Sequence, residues 1–214
     1  MFDFLRSGVM RDHYFDSLIK ELGEATTSRY VSQAAIQKWG RTLPEKLLSY
    51  WNDEGWSSYN NGLFSLVDPS LYHDAVLEWL DETYLISMDN FHVIASTGFG
   101  DFYLFGERYG LICKILSRSG VIEVFSNSIK LTEKLLNSHV ESLIQSITKE
   151  NIDKDSLFDK LIDRFDTLGE NEIFCFEPMV NKINNSKFLS ARKINAVDYL
   201  IELRHIIKPV ILHV

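Results

Sequence analysis

A chain of 214 residues, 45% hydrophobic and 24% charged, holds enough apolar material for one large domain or two small ones and is too apolar to be disordered. Its net charge of −8, from 30 acids against 22 bases, runs against direct binding of DNA or RNA, which needs a basic stripe to neutralise phosphates. No window reaches the roughly 18 apolar residues of a membrane span. Met1-Phe2-Asp3-Phe4-Leu5-Arg6 also lacks the apolar run and cleavage site of a secretory signal, so a cytoplasmic location is expected.

Asp12 to Leu22 reads as a first helix, with Tyr14, Phe15, Leu18, Ile19 and Leu22 at helical spacing. Ala25-Thr26-Thr27-Ser28 interrupts it. Ser32 caps a short helix that Gly40 ends, and Thr42-Leu43-Pro44-Glu45 opens another, with Thr42 as its predicted cap and Gly55 at its end. The period then changes. Trp56–Tyr59 and Leu63–Val67 flank Asn60-Asn61-Gly62, the signature of a hairpin. Asp68-Pro69 starts a helix whose stripe is Leu71, Ala75, Val76, Trp79 and Leu80, and Thr83–Asn90 connects it onward. Four short strands follow at Phe91–Ser96, Phe102–Phe105, Leu111–Leu116 and Val121–Phe125, separated by glycine-bearing turns that argue an antiparallel meander. Helices at Ser128–Asn137 and Asp155–Phe165, a strand at Glu172–Phe176, a polar loop at Asn181–Ser190 and a helix from Asn195 to Ile207 complete the reading. The class is α+β: antiparallel sheet covered by helices, in two closely packed subdomains, 1–88 and 89–214. The segment 83–90 is too apolar, with Leu85, Ile86 and Met88, to be a flexible linker.

Charge is unevenly spread. Residues 1–89 carry a net −7 and residues 90–214 a net −1, and no Lys or Arg occurs between Lys46 and Arg108. An even spread would put about six bases in that window. It holds ten acids instead: Asp53, Glu54, Asp68, Asp74, Glu78, Asp81, Glu82, Asp89, Asp101 and Glu107. A one-signed field attracts a basic partner and speeds its association. Asp81, Glu82, Asp89, Asp101 and Glu107 lie at or near predicted loop ends and are the leading partner-binding candidates. Asp68 is set aside as a helix cap. Tyr72, Tyr84 and Tyr103 fall off the core stripes and read as exposed interface material.

Motifs for chemistry are mostly missing. The six histidines form no HExxH, HxH or other close pair, and Cys113 and Cys175, the two cysteines, sit far apart inside apolar runs as buried thiols; no metal and no cofactor are expected. His92 reads as a satisfied core residue. Gly98-Phe99-Gly100-Asp101 lacks the third glycine of a dinucleotide loop and leads into a strand. Asp153-Lys154-Asp155 opens like a calcium loop but has Phe158 where glycine is required, and reads as the start of the Asp155 helix.

Five stretches are familiar. Leu43 to Trp51 (LPEKLLSYW), Gly55-Trp56 and Asn61 to Pro69 (NGLFSLVDP) resemble the GAD-like domain of bacterial immunity proteins. Thr97 to Leu104 (TGFGDFYL) and Leu168 to Pro178 (LGENEIFCFEP) resemble the C-terminal domain that commonly follows it. The resemblance implies an immunity protein against a type VI secretion DNase effector: a non-enzymatic inhibitor that binds its toxin, a basic nuclease domain, and blocks the active site or substrate path. Trp51, Trp56, Gly62, Pro69, Gly98, Gly100 and Gly169 read as packing and turn positions, and none is carried over as catalytic. After Pro178, Asn181-Lys182-Ile183-Asn184-Asn185 stands where relatives show a Gly-rich turn. The alternative is a housekeeping enzyme or small-ligand regulator without a recognisable motif. A tRNA-associated role, suggested by the GAD name, is disfavoured by the acidic balance.

Overall fold

The computed structural model describes residues 11–125, 130–176 and 191–214. Helix α1 (His13–Leu22) opens on the Asp12 carboxylate, which accepts the Phe15 amide, and buries Phe15, Leu18 and Leu22. The next residues form an edge strand, β1 (Ala25–Arg29), rather than an interruption; three of its five side chains are exposed, so it carries no apolar alternation. Ser32 caps α2 (Gln33–Trp39) as expected. In α3 (Glu45–Glu54) the cap position falls to Pro44, while the Thr42 hydroxyl donates back to the Trp39 carbonyl. Strands β2 (Trp56–Tyr59) and β3 (Phe64–Leu66) form the expected hairpin around Asn60 and Asn61, both at positive φ, and Gly62.

Asp68 caps a 3-10 turn, Pro69–Tyr72, that precedes α4 (His73–Leu80) and α5 (Leu85–Met88). That turn corrects the predicted stripe. A 3-10 turn advances three residues per turn, so the phase resets, Leu71 faces solvent and Tyr72 is fully buried. The meander is present as β4 (Phe91–Thr97), β5 (Asp101–Gly106), β6 (Gly110–Leu116) and β7 (Val121–Val124).

Helix α6 (Glu133–Ser146) starts later and runs further than predicted because Val140, Leu143 and Ile144 prolong its buried stripe; residues 126–129 lie outside the described residues. A short α7 (Lys149–Ile152) follows. Helix α8 (Leu157–Phe165) begins two residues after the predicted start, and the carboxylate over its first turn is Asp153, which accepts the Leu157 and Phe158 amides at 2.8 and 2.7 Å. Strand β8 (Glu172–Phe176) and helix α9 (Ala196–Ile206) match the reading, whereas β9 (Ala191–Asn195) and β10 (Val210–His213) are additions. The predicted loop 181–190 lies outside the described residues.

The fold is α+β. Eight strands form one sheet in the order β1-β2-β3-β4-β5-β6-β7-β10, and β8 and β9 form a separate antiparallel ribbon. All neighbours in the large sheet are antiparallel except β10, which returns parallel to β7. Alternate side chains feed two cores: Tyr103 and Phe105 point to the one built with α1, α2, α3, α6 and α8, and Phe102 and Leu104 to the one built with α4, α5 and α9. Trp79 of α4 donates its indole N–H to the Leu200 carbonyl of α9, pinning those helices together at 2.9 Å. β3 pairs with β4 directly, Phe64 opposite Thr97, and α1 packs on α6, so the sheet has no seam at residue 88.

Candidate functional site

The five candidate acids do not converge. Asp101 opens β5 and Glu107 follows its far end, a separation of about 20 Å for a strand of this length. Asp101 is half-buried and pairs with Lys114 at 3.2 Å, whose ammonium lies 4.9 Å from the Tyr103 ring centre. Glu107 meets His92 Nε2 at 2.9 Å, and the His92 ring sits edge-on to Trp39, as a satisfied histidine should. Asp89 is turned inward: its side chain is 2% exposed and accepts the backbone N–H groups of Asn90, Arg108 and Tyr109 at 2.9, 2.8 and 3.0 Å. That carboxylate latches the start of β4 to the β5–β6 turn and offers a partner little. Asp81 and Glu82 are exposed at the end of α4. The Lys208 ammonium, 2.8 Å away, hydrogen-bonds to Glu82 and holds its carboxyl below the usual range. Of the three tyrosines, Tyr84 is 47% exposed, Tyr103 is half-buried and Tyr72 is buried.

The linear charge segregation is also lost in space. Arg11 pairs with Glu54, Arg29 with Asp68, Arg108 with Asp89, Lys114 with Asp101 and Lys208 with Glu82; each base comes from outside the base-free window. The window is therefore not a base-free surface.

A different site emerges on the sheet. The face that α4 and α9 cover over its central strands lies open at β1–β3, forming a cleft of about 240 Å³. Register places Thr27 opposite Ser58, Ser58 opposite Ser65, and Ser65 opposite Ser96. Cross-strand partners share a face, so four hydroxyl side chains run in one row across four strands. All four line the cleft. Ser58 and Ser65 hydroxyls are 2.7 Å apart. Tyr72 closes the inner end beside Ser96, its hydroxyl 3.5 Å from Asn171 Oδ1, and burial holds that phenol well above the ordinary tyrosine range, hence protonated.

Carboxylates stand around the row. Arg29 Nε lies 2.7 Å from Glu170 and its Nη2 3.5 Å from Asp68, with the guanidinium 4.4 Å over the Trp56 ring. Glu172 adds a third carboxylate, which accepts the Gly169 amide at 2.6 Å. Counting these walls, the cleft is acidic by two charges. Sequence reading missed it because its members come from six separate stretches; the available signal was Ser58 and Ser65 at outward positions of β2 and β3, where a covered sheet has apolar ones.

The motif residues hold the fold. Trp51, Gly62 and Pro69 are buried. Gly98 sits where a Cβ would lie 2.3 Å from the Phe158 ring and 2.7 Å from the Gly62 carbonyl, and its own carbonyl accepts the Phe174 amide of β8. Gly98-Phe99-Gly100-Asp101 is the β4–β5 turn, closed by Gly100 N–H to Thr97 C=O. Among the described residues, no three His, Cys, Asp or Glu side chains are grouped to hold a metal ion, and no helix is long and apolar enough to cross a membrane. Cys113 and Cys175 are buried, and burial pushes the Cys113 thiol up and away from reactivity.

Comparison with known proteins places this architecture. No curated protein matches the sequence. The crystal structure of Atu4351 from Agrobacterium tumefaciens is similar at a TM-score of 0.75 and 15% identity, covering 93% of this chain and 92% of that one, a likeness of fold. Residues 13–119 match the GAD-like domain family, a stretch from α1 to the turn before β7 that contains the hydroxyl row entire. With half of its length matched, the chain belongs to the GAD-like domain family.

Proposed function

We propose that this protein is a cytoplasmic immunity protein that binds a cognate secreted toxin one-to-one, a nuclease delivered by type VI secretion, and blocks its active site or substrate path. Membership of the GAD-like family carries this reading, because that family is associated with immunity proteins rather than with catalysis. The resemblance of Leu168 to Pro178 to the domain that commonly follows supports it. A net charge of −8 suits a partner with a basic, phosphate-binding cleft. In this reading Asp81 and Glu82, exposed at the end of α4, act as rim charges on the association rate, with Asp101 and Glu107 in the same role from the two ends of β5.

The test is stoichiometry. The product of the toxin-type gene adjacent to this one is mixed with the purified protein. The expected result is a 1:1 complex by size exclusion and loss of nuclease activity that reaches completion at equimolar inhibitor. Absence of a complex, or full protection at a small fraction of the toxin concentration, overturns the proposal; the latter is the behaviour of an enzyme.

A further inference from the structure

The structure also indicates what the cleft accepts, an inference that rests on the binding role just described. Among the described residues β1 terminates the sheet, with β2 on one side and no strand on the other. Its central residues Thr26, Thr27 and Ser28 are exposed and uncharged. An edge of this kind receives an extended segment by strand addition, main chain to main chain.

Such a segment would have one residue opposite Thr27. Its side chain would then fall on the same face as Thr27, Ser58, Ser65 and Ser96, because directly paired residues point the same way. The row therefore forms a track leading inward from the sheet edge. Its chemistry is rich in acceptors. Each hydroxyl offers two lone pairs, and Asp68, Glu170 and Glu172 add carboxylates. One cation, Arg29, stands among the walls against these three carboxylates and already leans on Asp68 and Glu170, so the remaining field disfavours a phosphate or carboxylate and favours a second cation. The group with many donors, no acceptor and a positive charge is a guanidinium or ammonium.

We propose that the cleft beside β1 is a socket for an arginine or lysine of the toxin, carried on an extended segment that adds to β1. The long aliphatic stem lies over Thr27, and the cationic head reaches the Ser58 hydroxyl, two strand spacings in, within the field of the three carboxylates.

Two arms test this. In the first, the blocked peptide acetyl-Val-Thr-Arg-Thr-Val-amide is titrated into isotopically labelled protein and followed by amide shifts, with peptides carrying Lys, citrulline or Glu in place of Arg. The Arg and Lys peptides are expected to shift the Ala25–Arg29 amides together with Ser58 and Ser65, and the citrulline peptide to bind at least about tenfold more weakly. Glu170→Lys, at an exposed position, and Ser58→Val are each expected to weaken the Arg peptide by about tenfold or more. No shift at β1 with any peptide, or equal binding of citrulline or Glu, overturns the socket. In the second arm the toxin is titrated against the same variants after circular dichroism shows them folded. Toxin binding unchanged by Glu170→Lys and Ser58→Val refutes the socket and leaves the immunity role intact. Peptide binding without any toxin complex refutes the immunity role and leaves the socket.

Discussion

Asp89→Ala should destabilise the protein by about 3 kcal/mol. Asp89 is buried, and its carboxylate accepts the Arg108 and Tyr109 amides from across the β4–β5 strand pair, besides the adjacent Asn90 amide and Arg108 Nε at 3.3 Å. Hydrogen bonds to a charged group contribute about 1.5–3 kcal/mol each; taking the low end for the two distant amides gives the figure. For a chain of this size, that corresponds to a fall in Tm of about 6–12 °C. Gly106 supplies an internal check. A Cβ there would lie 2.5 Å from Asp89 Oδ2 and 2.9 Å from the Phe91 ring, so Gly106→Ala should cost about 1–3 kcal/mol, partly by unseating the same carboxylate. In the Asp89→Ala background, Gly106→Ala should cost distinctly less, since the two changes damage one latch. Urea and thermal unfolding of the four proteins give the cycle. An Asp89→Ala variant melting within about 2 °C of wild type, or costs that add fully, would refute the latch. The outcome matters for interface mapping: any loss of partner binding in Asp89→Lys would follow from lost stability, whereas Glu82→Lys, on an exposed carboxylate, should leave the melting temperature unchanged.

Two further outcomes follow from particular contacts. His139 Nδ1 accepts the Leu111 amide at 3.1 Å, and burial holds its pKa below the ordinary 6.5. The unfolded chain thus takes up the proton first, and stability is full above that value and lost as pH falls below it; His139→Gln should flatten the stability slope just below pH 6.5, and an unchanged slope would count against this assignment. Gly98→Ala should lower stability by about 1–3 kcal/mol, because its methyl meets the Phe158 ring and the Gly62 carbonyl; a variant with wild-type unfolding would show that this turn yields where the packing says it cannot.

What the sequence disclosed and what it hid divide along physical lines. Local signals were legible: the Ser32 cap, the helix starts at Asp12 and near Asn195, the Asn-Asn-Gly hairpin and the Gly-punctuated meander all act within a few residues. Edge strands β1 and β10 were not, since an edge needs no alternation and each carries four or five residues. Tyr72 was misplaced because a 3-10 turn shifts the phase of the helix that follows. The acid-rich window suggested a one-signed surface, but Arg29, Arg108, Lys114 and Lys208 return to it through tertiary contacts no linear count contains. The hydroxyl row was hidden for a related reason: its four members become neighbours only through the register of three strand pairs.

The order of the large sheet bears on how the chain acquires it. From β1 to β7, each strand lies beside its sequence neighbour, so pairing can advance as synthesis proceeds, closing short loops one at a time. β10 breaks the sequence. It reaches β7 only after α6 to α9 have been made, and pairs parallel, the slower kind of long-range closure. Until then the backbone edge of Val121–Val124 stays open beside Ile122 and Val124, residues that end fully or almost fully buried. The nascent protein is most exposed to aggregation in that interval, and docking of Val210–His213 ends it. Lengthening the 207–209 connection should slow that last step while leaving the β1 edge, on the opposite side of the sheet, untouched.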